Sequence, residues 1–440
     1  MIKRNILFFL FFVAAVFVLS IDVPESNLTK KLFNDQKQVS RDINGDVYMQ
    51  GLQFKDVDPL EYGRMIYELA QECGGEVYDS ETCKPYHQEH ERLTFDIPRA
   101  YKDFTFFCWF DYEYEPDEGS KCAPEEAITQ TIAQNKVLWD RYHDMMAFQH
   151  FDADLPTQPQ YNFRGQSFIK MQQLFQAYLI SMARQGQADR ALDLWIKNHQ
   201  MLNALLSSRQ TVVFSAIVMI TQGISDKSIV SMLPYLSPDA AQQKQLEQVL
   251  LKPAFGEQGM DLKKIYQADH NFIFGSMDEI VTEHRQKESF FNKISAPFPL
   301  FYKRNYTRNQ FARCVSDLIA MEEVPDSEFD QAYQSYSQKY KDYDGSWFDL
   351  VYNVAGQKIL SNCRAYGLFQ ARHAAAIRKR MIVLLLRARQ SDVSKQNMAE
   401  FVARTPPDLN NPRTGKPFDW DGQYLSFATP SKTVKIPYLF

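Results

Sequence analysis

Glycine is scarce in this chain, at 17 of 440 residues. Folds that cradle phosphate in a glycine-rich loop need glycines at fixed offsets, and neither a P-loop nor a dinucleotide G-x-G-x-x-G fingerprint occurs. There is no G-x-S-x-G, which leaves a nucleophile-elbow hydrolase without support. No pair of cysteines is spaced C-x-x-C, which argues against zinc at these cysteines. An excess of positive charge is also missing. With 49 basic and 54 acidic residues the net charge is −5, a poor match to nucleic acid. No complete catalytic motif remains and no cofactor is called for, so the sequence reads as non-enzymatic.

What is present begins at the N-terminus. Lys3 and Arg4 precede an apolar run from Ile6 to Ile21. A basic stretch followed by an apolar one is the pattern of an export signal or signal-anchor. The next basic residues, Lys30 and Lys31, come after Asp22 and Glu25. This asymmetry places the N-terminus inside and the bulk of the chain outside. The run is slightly short for a bilayer span, which takes roughly 17–25 residues, and slightly long for a cleaved signal. No Ala-x-Ala site follows; Val18 and Ser20 are the only small-residue pair at the place of cleavage. The reading is an inner-membrane anchor with the bulk in the periplasm. The alternative is release to the periplasm after cleavage.

The six cysteines agree with an oxidising space. Nearest-neighbour pairing joins Cys73 with Cys83, Cys108 with Cys122, and Cys314 with Cys363, one of 15 possible connectivities. A loop of about fifteen residues closed in this way is worth roughly 3 kcal/mol.

Five segments follow from the pattern of the chain. Residues 1–21 are the anchor or signal, and polar residues 22–50 read as a tether. Residues 51–123 form a cysteine-bearing region with one helix, Pro59–Glu72. Residues 124–404 form a helical body. It opens at Pro124-Glu125-Glu126, where proline gives up no needed N–H and the acids face the positive end of the helix dipole. From there Ile128, Ile132, Leu138, Tyr142 and Met145 keep helical spacing. Further helices are predicted at about 166–184, 188–206, 210–233, 238–251, 258–287, 308–323, 327–340 and 346–389, with Ser237-Pro238-Asp239 as a second clear start. Within the body, Tyr178–Leu206 resembles one tetratricopeptide-type hairpin. Gly186 sits at its turn, and Ala188, Ala191, Leu192 and Trp195 share its apolar face. No period of 34 recurs, so a regular array is not expected. Residues 405–440 form a β-hairpin after Thr405-Pro406-Pro407 ends the helices. Asp421-Gly422 is expected to turn the chain in type I′ geometry, and a third strand is expected at Val434–Tyr438.

Two further stretches, Asn353-Val354-Ala355-Gly356-Gln357-Lys358-Ile359-Leu360 and Asn411-Pro412-Arg413-Thr414-Gly415-Lys416-Pro417-Phe418, carry a resemblance. Together they resemble a broad set of uncharacterised, membrane-anchored bacterial envelope proteins. These have a helical body and a Pro-x-x-Gly-Lys-Pro segment before a tyrosine-bearing strand. Lys303-Arg304-Asn305-Tyr306-Thr307 matches another loop of that set. The resemblance covers about a tenth of the chain and implies no activity. Taken alone, the terminal motif reads as a turn that Gly415 makes possible, with Lys416 solvated.

A few clusters could carry chemistry. His87, Glu89 and His90 are the densest imidazole–carboxylate group and the candidate metal ligands of a metal-dependent enzyme, although they lack the H-E-x-x-H spacing. The acidic and aromatic stretch Asp111–Glu118 offers Tyr112 and Tyr114 as contact residues for a partner. Arg378, Lys379, Arg380, Arg387 and Arg389 form a basic stripe. Arg378 and Arg380 are its partner-binding candidates, and a solvated helix face is the plainer reading. The stretch from Phe290-Phe291 to Phe301 could line a site for a lipid or other apolar ligand, or simply fill a core. The fold class is mainly α: irregular helix hairpins, partly tetratricopeptide-like, with a small C-terminal β-hairpin. The function expected from this reading is that of a membrane-tethered envelope protein that binds another protein.

Overall fold

A computed structural model of the chain describes residues 22–33, 44–52, 54–72, 93–112, 121–151, 165–256, 259–271, 273–274, 303–341, 366–428 and 433–440. They divide into two compact units. The smaller lies within Met1–Gln38 and Tyr266–Gly367, the larger within Val39–Ile265 and Leu368–Phe440. The fold is mainly α with a small C-terminal antiparallel sheet.

The smaller unit contains α1 (Asn27–Phe33), which packs on α11 (Arg304–Ala320), and α12 (Phe329–Lys341). The larger unit contains α2 (Gly45–Gly51), α3 (Pro59–Glu72), the one-turn α4 (Phe107–Phe110), α5 (Glu125–Gln134) and α6 (Lys136–Met145). It continues with α7 (Gly165–Arg184), α8 (Ala188–Ser207), α9 (Val212–Met232), α10 (Ala240–Leu250), α13 (Tyr366–Gln390, entering from Leu368) and α14 (Met398–Ala403). Two short strands, β1 (Phe104–Thr105) and β2 (Lys121–Cys122), pair in parallel.

The α7–α8 hairpin is the frame of the larger unit. α7 ends in a Schellman motif: Gly186 takes φ 82°, Gln187 N donates to Met182 O and Gly186 N donates to Ala183 O. Ala191, Leu192 and Trp195 are fully buried on the inner face of α8. α9 closes the layer against both helices. With its following turn, Val212–Tyr235, it is long and apolar enough to cross a membrane by length and composition, yet 56% of that window is buried inside the fold. α10 starts where expected, with Asp239 and Gln242 forming a capping box. The terminal sheet runs β3 (Asp419–Trp420), β4 (Tyr424–Ala428), β5 (Thr433–Pro437), all antiparallel. Leu425 faces Ile436 and Phe427 faces Val434, and these four side chains bury one face of the sheet in the core.

Three local expectations need correction. The stretch 22–50 is not a plain tether, because it carries α1 and the buried α2. Asp46 of α2 accepts hydrogen bonds from Tyr67 and from Gln210 Nε2 (3.2 Å), and Arg141 collects the carbonyls of Leu52, Phe54 and Val57 below it. Small residues allow this approach: a Cβ on Gly63 of α3 would lie 1.8 Å from the Val47 carbonyl. Second, the helix expected to run from Pro124 to Met145 breaks at Asn135. The Asn135 amide exchanges two hydrogen bonds with the Asp96 backbone (2.7 and 3.0 Å), which ends one helix and begins the next. Third, the Asp421-Gly422 turn has positive φ at Gly422 alone (93°), so it lacks the two positive φ values of type I′. The Asp421 carboxylate holds it instead, accepting from Gln423 N and Tyr424 N.

The glycine contacts generate a paired test in urea unfolding. Gly63→Ala is expected to destabilise by about 1–3 kcal/mol, because α2 must be pushed away. Gly223→Ala, on α9, where the new methyl meets no described residue beyond its own stretch of helix backbone, is expected to stabilise by about 0.5–1 kcal/mol. Equal shifts for the two variants would contradict the packing described.

Candidate functional site

The core of the larger unit contains a polar seam. Tyr142 of α6 donates to Gln172 of α7, and Asn198 of α8 lies within reach of both Gln172 (2.8 Å) and Gln176 (3.0 Å). Ser228 of α9 donates to Gln176. Further along, Trp195 Nε1 donates to Ser225 O (2.9 Å), and the His199 ring stacks on Trp195 at 4.6 Å while its Nδ1 meets Ser225 Oγ at 3.2 Å. Arg372 of α13 donates to Gln222 and to Ala254 O (2.8 Å), and Gln222 in turn donates to Asn203 (2.6 Å). These side chains lie between packed helices because they recur at helical spacing on otherwise apolar surfaces: Gln172 and Gln176 on α7, Gln222, Ser225 and Asp226 on α9.

The seam ends in charge. Asp226 and His199 are 0% exposed, and Arg372 and Lys379 are 2% exposed. Among the described residues, both Asp226 carboxylate oxygens, His199 Nε2 and Asn203 Nδ2 lack a hydrogen-bond partner. His199 Nδ1 stands 3.9 Å from Asp226 Oδ1. Burial, reinforced by the positive charge of Lys379 and Arg372, holds the imidazole well below its usual range, so the two do not form an ion pair at neutral pH. Burial raises the Asp226 carboxyl, against the pull of Lys379, Arg378 and Arg372. Burial lowers Lys379 to about 7 and Arg372 to about 10, each opposed by Asp226. Such a group can exchange a proton near neutral pH, but as described it is enclosed by helices.

No known protein family, curated protein or solved structure matches this chain. Its own surfaces therefore carry the functional reading. α13 ends in a second Schellman motif, in which Val393 N donates to Ala388 O and Asp392 N to Arg389 O. Here the left-handed position is filled by Asp392 (φ 47°) rather than glycine. Two surface grooves flank this turn, of about 660 and 680 Å³. Leu384, Arg387, Asp392, Asn397, Phe401 and Arg404 line the first. Arg387 is clamped there by both oxygens of Glu247 (2.7 and 2.9 Å), which lowers the Glu247 carboxyl. The second lies between Pro238, Arg389, Lys395, Tyr438 and Phe440. Arg389 donates to Leu236 O and Pro234 O (2.8 and 2.9 Å), and its guanidinium lies over the Phe440 ring.

The sequence candidates fall as follows. His87, Glu89, His90 and Tyr114 lie outside the described residues, as do Cys73, Cys83, Cys363 and the stretch Phe290–Phe301. Among the described residues no group of three or more His, Cys, Asp and Glu is placed to hold a metal. Tyr112 is half-buried and donates to Lys435 O (3.2 Å), tying its loop to β5. The basic stripe is divided: Lys379 is buried, Arg378 and Arg380 are half-buried, and Arg387 and Arg389 belong to the grooves. Cys108 and Cys122 are joined by a disulfide with Cα atoms 5.6 Å apart, and Cys314 is also disulfide-bonded. The terminal motif closes a turn at Gly415 (φ 64°), with Asn411 N donating to Lys416 O (2.9 Å) and Lys416 exposed. The sequence reading missed His199, Asp226, Gln222 and Arg372. The signal that could have found them was the polar i, i+3, i+4 set inside the apolar α9.

The seam predicts a pH dependence with a definite sign. Between about pH 7 and 10.5 the unfolded Lys379 holds a proton that the folded one has lost, so stability rises with pH across that window. Lys379→Met is expected to remove this rise in unfolding curves taken at pH 7 and 9. Asp226→Leu alone is expected to cost about 3–5 kcal/mol by leaving buried cations uncompensated, and Asp226→Leu with Lys379→Met to recover much of it. Additive losses in the double variant would contradict the coupling.

Proposed function

We propose that this chain is an exported envelope protein, held at the inner membrane by its N-terminal apolar segment, that binds another protein through its helical body. It does no chemistry on that partner. The export reading is supported by Lys3 and Arg4 ahead of the apolar run and by the Cys108–Cys122 disulfide, a bond that cytosolic thiol buffers disfavour. The reading also keeps company with the envelope-protein resemblance of the terminal Pro-x-x-Gly-Lys-Pro segment.

The observation that carries the binding reading is the pair of grooves around Asp392. Both combine apolar walls with fixed charge: in the first, Arg387 and Arg404 are held by Glu247 and Glu400, and in the second Arg389 and Lys395 stand beside Tyr438 and Phe440, so that together they line both sides of one rigid turn. An extended protein segment with apolar and acidic residues fits such a surface. The left-handed Asp392 strengthens the case, because glycine would hold the same turn with less strain.

A photocrosslinking residue at Asn397 or Arg404, introduced in living cells, is expected to give a discrete protein adduct. The same residue at the exposed Lys136, at the start of α6, is expected to give none. Asp392→Gly is expected to stabilise the fold by up to about 1 kcal/mol while weakening the adduct. Equal crosslinking at all three positions, or none at the groove positions, would remove the grooves as the binding surface.

A further inference from the structure

The buried seam leaves donors and acceptors unmatched within one small neighbourhood. The facing sides of α8 and α9 meet there in two rungs. In one, Gln222 Nε2 donates to Asn203 Oδ1 (2.6 Å). In the other, His199 Nδ1 stands 3.2 Å from Ser225 Oγ and 3.9 Å from Asp226 Oδ1. His199 and Asn203 are spaced i, i+4 on α8, as Gln222 and Asp226 are on α9, so the two rungs lie about one helical turn apart. α13 runs beside α9 in the same direction. Arg372 donates to Gln222 near one end, and Arg389 donates to Leu236 O and Pro234 O near the other. Lys379 falls between these two anchors, and it and Asp226 are each other's strongest opposing charge.

Four atoms here have no hydrogen-bond partner among the described residues: both Asp226 carboxylate oxygens, His199 Nε2 and Asn203 Nδ2. Lys379 Nζ therefore makes no direct hydrogen bond to the carboxylate that balances it. None of these side chains is on the surface: Asp226 and His199 are 0% exposed, Lys379 2% and Asn203 3%. Asp226 offers acceptors, while Asn203 and Lys379 offer donors, so whatever joins them has to donate and accept at once. Charge narrows the choice. A metal cation would sit in the field of Lys379, Arg372 and Arg378, the three that act on Asp226. An anion would lie against the Asp226 carboxylate. A small neutral molecule with both kinds of hydrogen-bonding group satisfies every atom.

We propose that this cluster is an internal water site, in which ordered water bridges the Asp226 carboxylate to Lys379 Nζ, His199 Nε2 and Asn203 Nδ2. Buried water typically makes about three hydrogen bonds to polar groups that the protein leaves unmatched, which is the set assembled here. Solvent is not far from it. The exposed Lys252 acts on both His199 and Lys379, and Ala254 O, in the same turn after α10, accepts from Arg372 Nε (2.8 Å). The bridging water completes the seam: α8, α9 and α13 are joined through it where their side chains do not meet. The site lies inside the larger unit, so the proposal stands independently of the envelope reading.

Oxygen-17 magnetic relaxation dispersion counts waters held inside a protein far longer than those on its surface. The full chain in detergent micelles is compared with its Asp226→Leu, Lys379→Met double variant, whose site is lined by apolar groups. The variant is expected to lose at least one long-lived water. An unchanged count in a variant whose circular dichroism matches that of the parent would overturn the proposal. A crystal structure of the unaltered chain answers the question without any variant. Water is expected within about 3.2 Å of an Asp226 oxygen and of Lys379 Nζ, His199 Nε2 or Asn203 Nδ2. A direct Lys379–Asp226 ion pair, a metal or halide identified by anomalous scattering, or no density between these groups would overturn it.

Discussion

α13 threads two basic side chains, Arg372 and Lys379, through the interior of the larger unit, and much of that unit is arranged to accommodate them. Neither side chain reaches bulk water, so each must find a countercharge or an acceptor inside the fold. Arg372 finds Gln222 and the Ala254 carbonyl. Lys379 is met by the field of Asp226, whose own carboxylate oxygens have no hydrogen bond among the described residues. Polar groups placed in this way give the α7–α8–α9 layer and α13 one preferred register, since sliding any helix by a turn would strand them. The seam thus fixes where α13 ends, and the end of α13 is where the two grooves meet.

The same logic of satisfied ends runs through the molecule at smaller scale. Asp22 caps α11, Arg141 gathers the carbonyls after α2, Asp239 and Gln242 cap α10, and Asn135 separates α5 from α6 while holding Asp96. Several of these partners are distant in sequence. Apart from the local α10 box, each converts a helix end or the chain beside it into a tertiary contact, which is how irregular helices of different lengths hold position without a repeating unit.

Helical periodicity, proline and capping signals made most helices legible in the sequence. α3 was bounded to the residue, and α7 and α8 nearly so. The terminal strands were legible because apolar residues alternate around Asp421-Gly422. What escaped was set by contacts remote in sequence. The helix α2 is held by Tyr67, Gln210 and Phe151, none of which its own polar surroundings announce. Lys379 reads as one member of a basic stripe because its burial depends on α8 and α9. The grooves escaped for the same reason: Leu384 and Phe401 become neighbours only through the turn at Asp392. The buried seam carried a faint signal in α9, where Asp226 interrupts an apolar helix.

The central claim is that this chain works in an oxidising space outside the cytoplasm, and the state of its cysteines in living cells tests it most directly. Intact cells would be treated with a thiol-reactive mass tag, with and without prior reduction. The account predicts no tag without reductant and six tags after it. Free labelling of Cys108 and Cys122 without reductant would contradict it, placing the chain among reduced cytosolic proteins and removing the basis for an envelope partner.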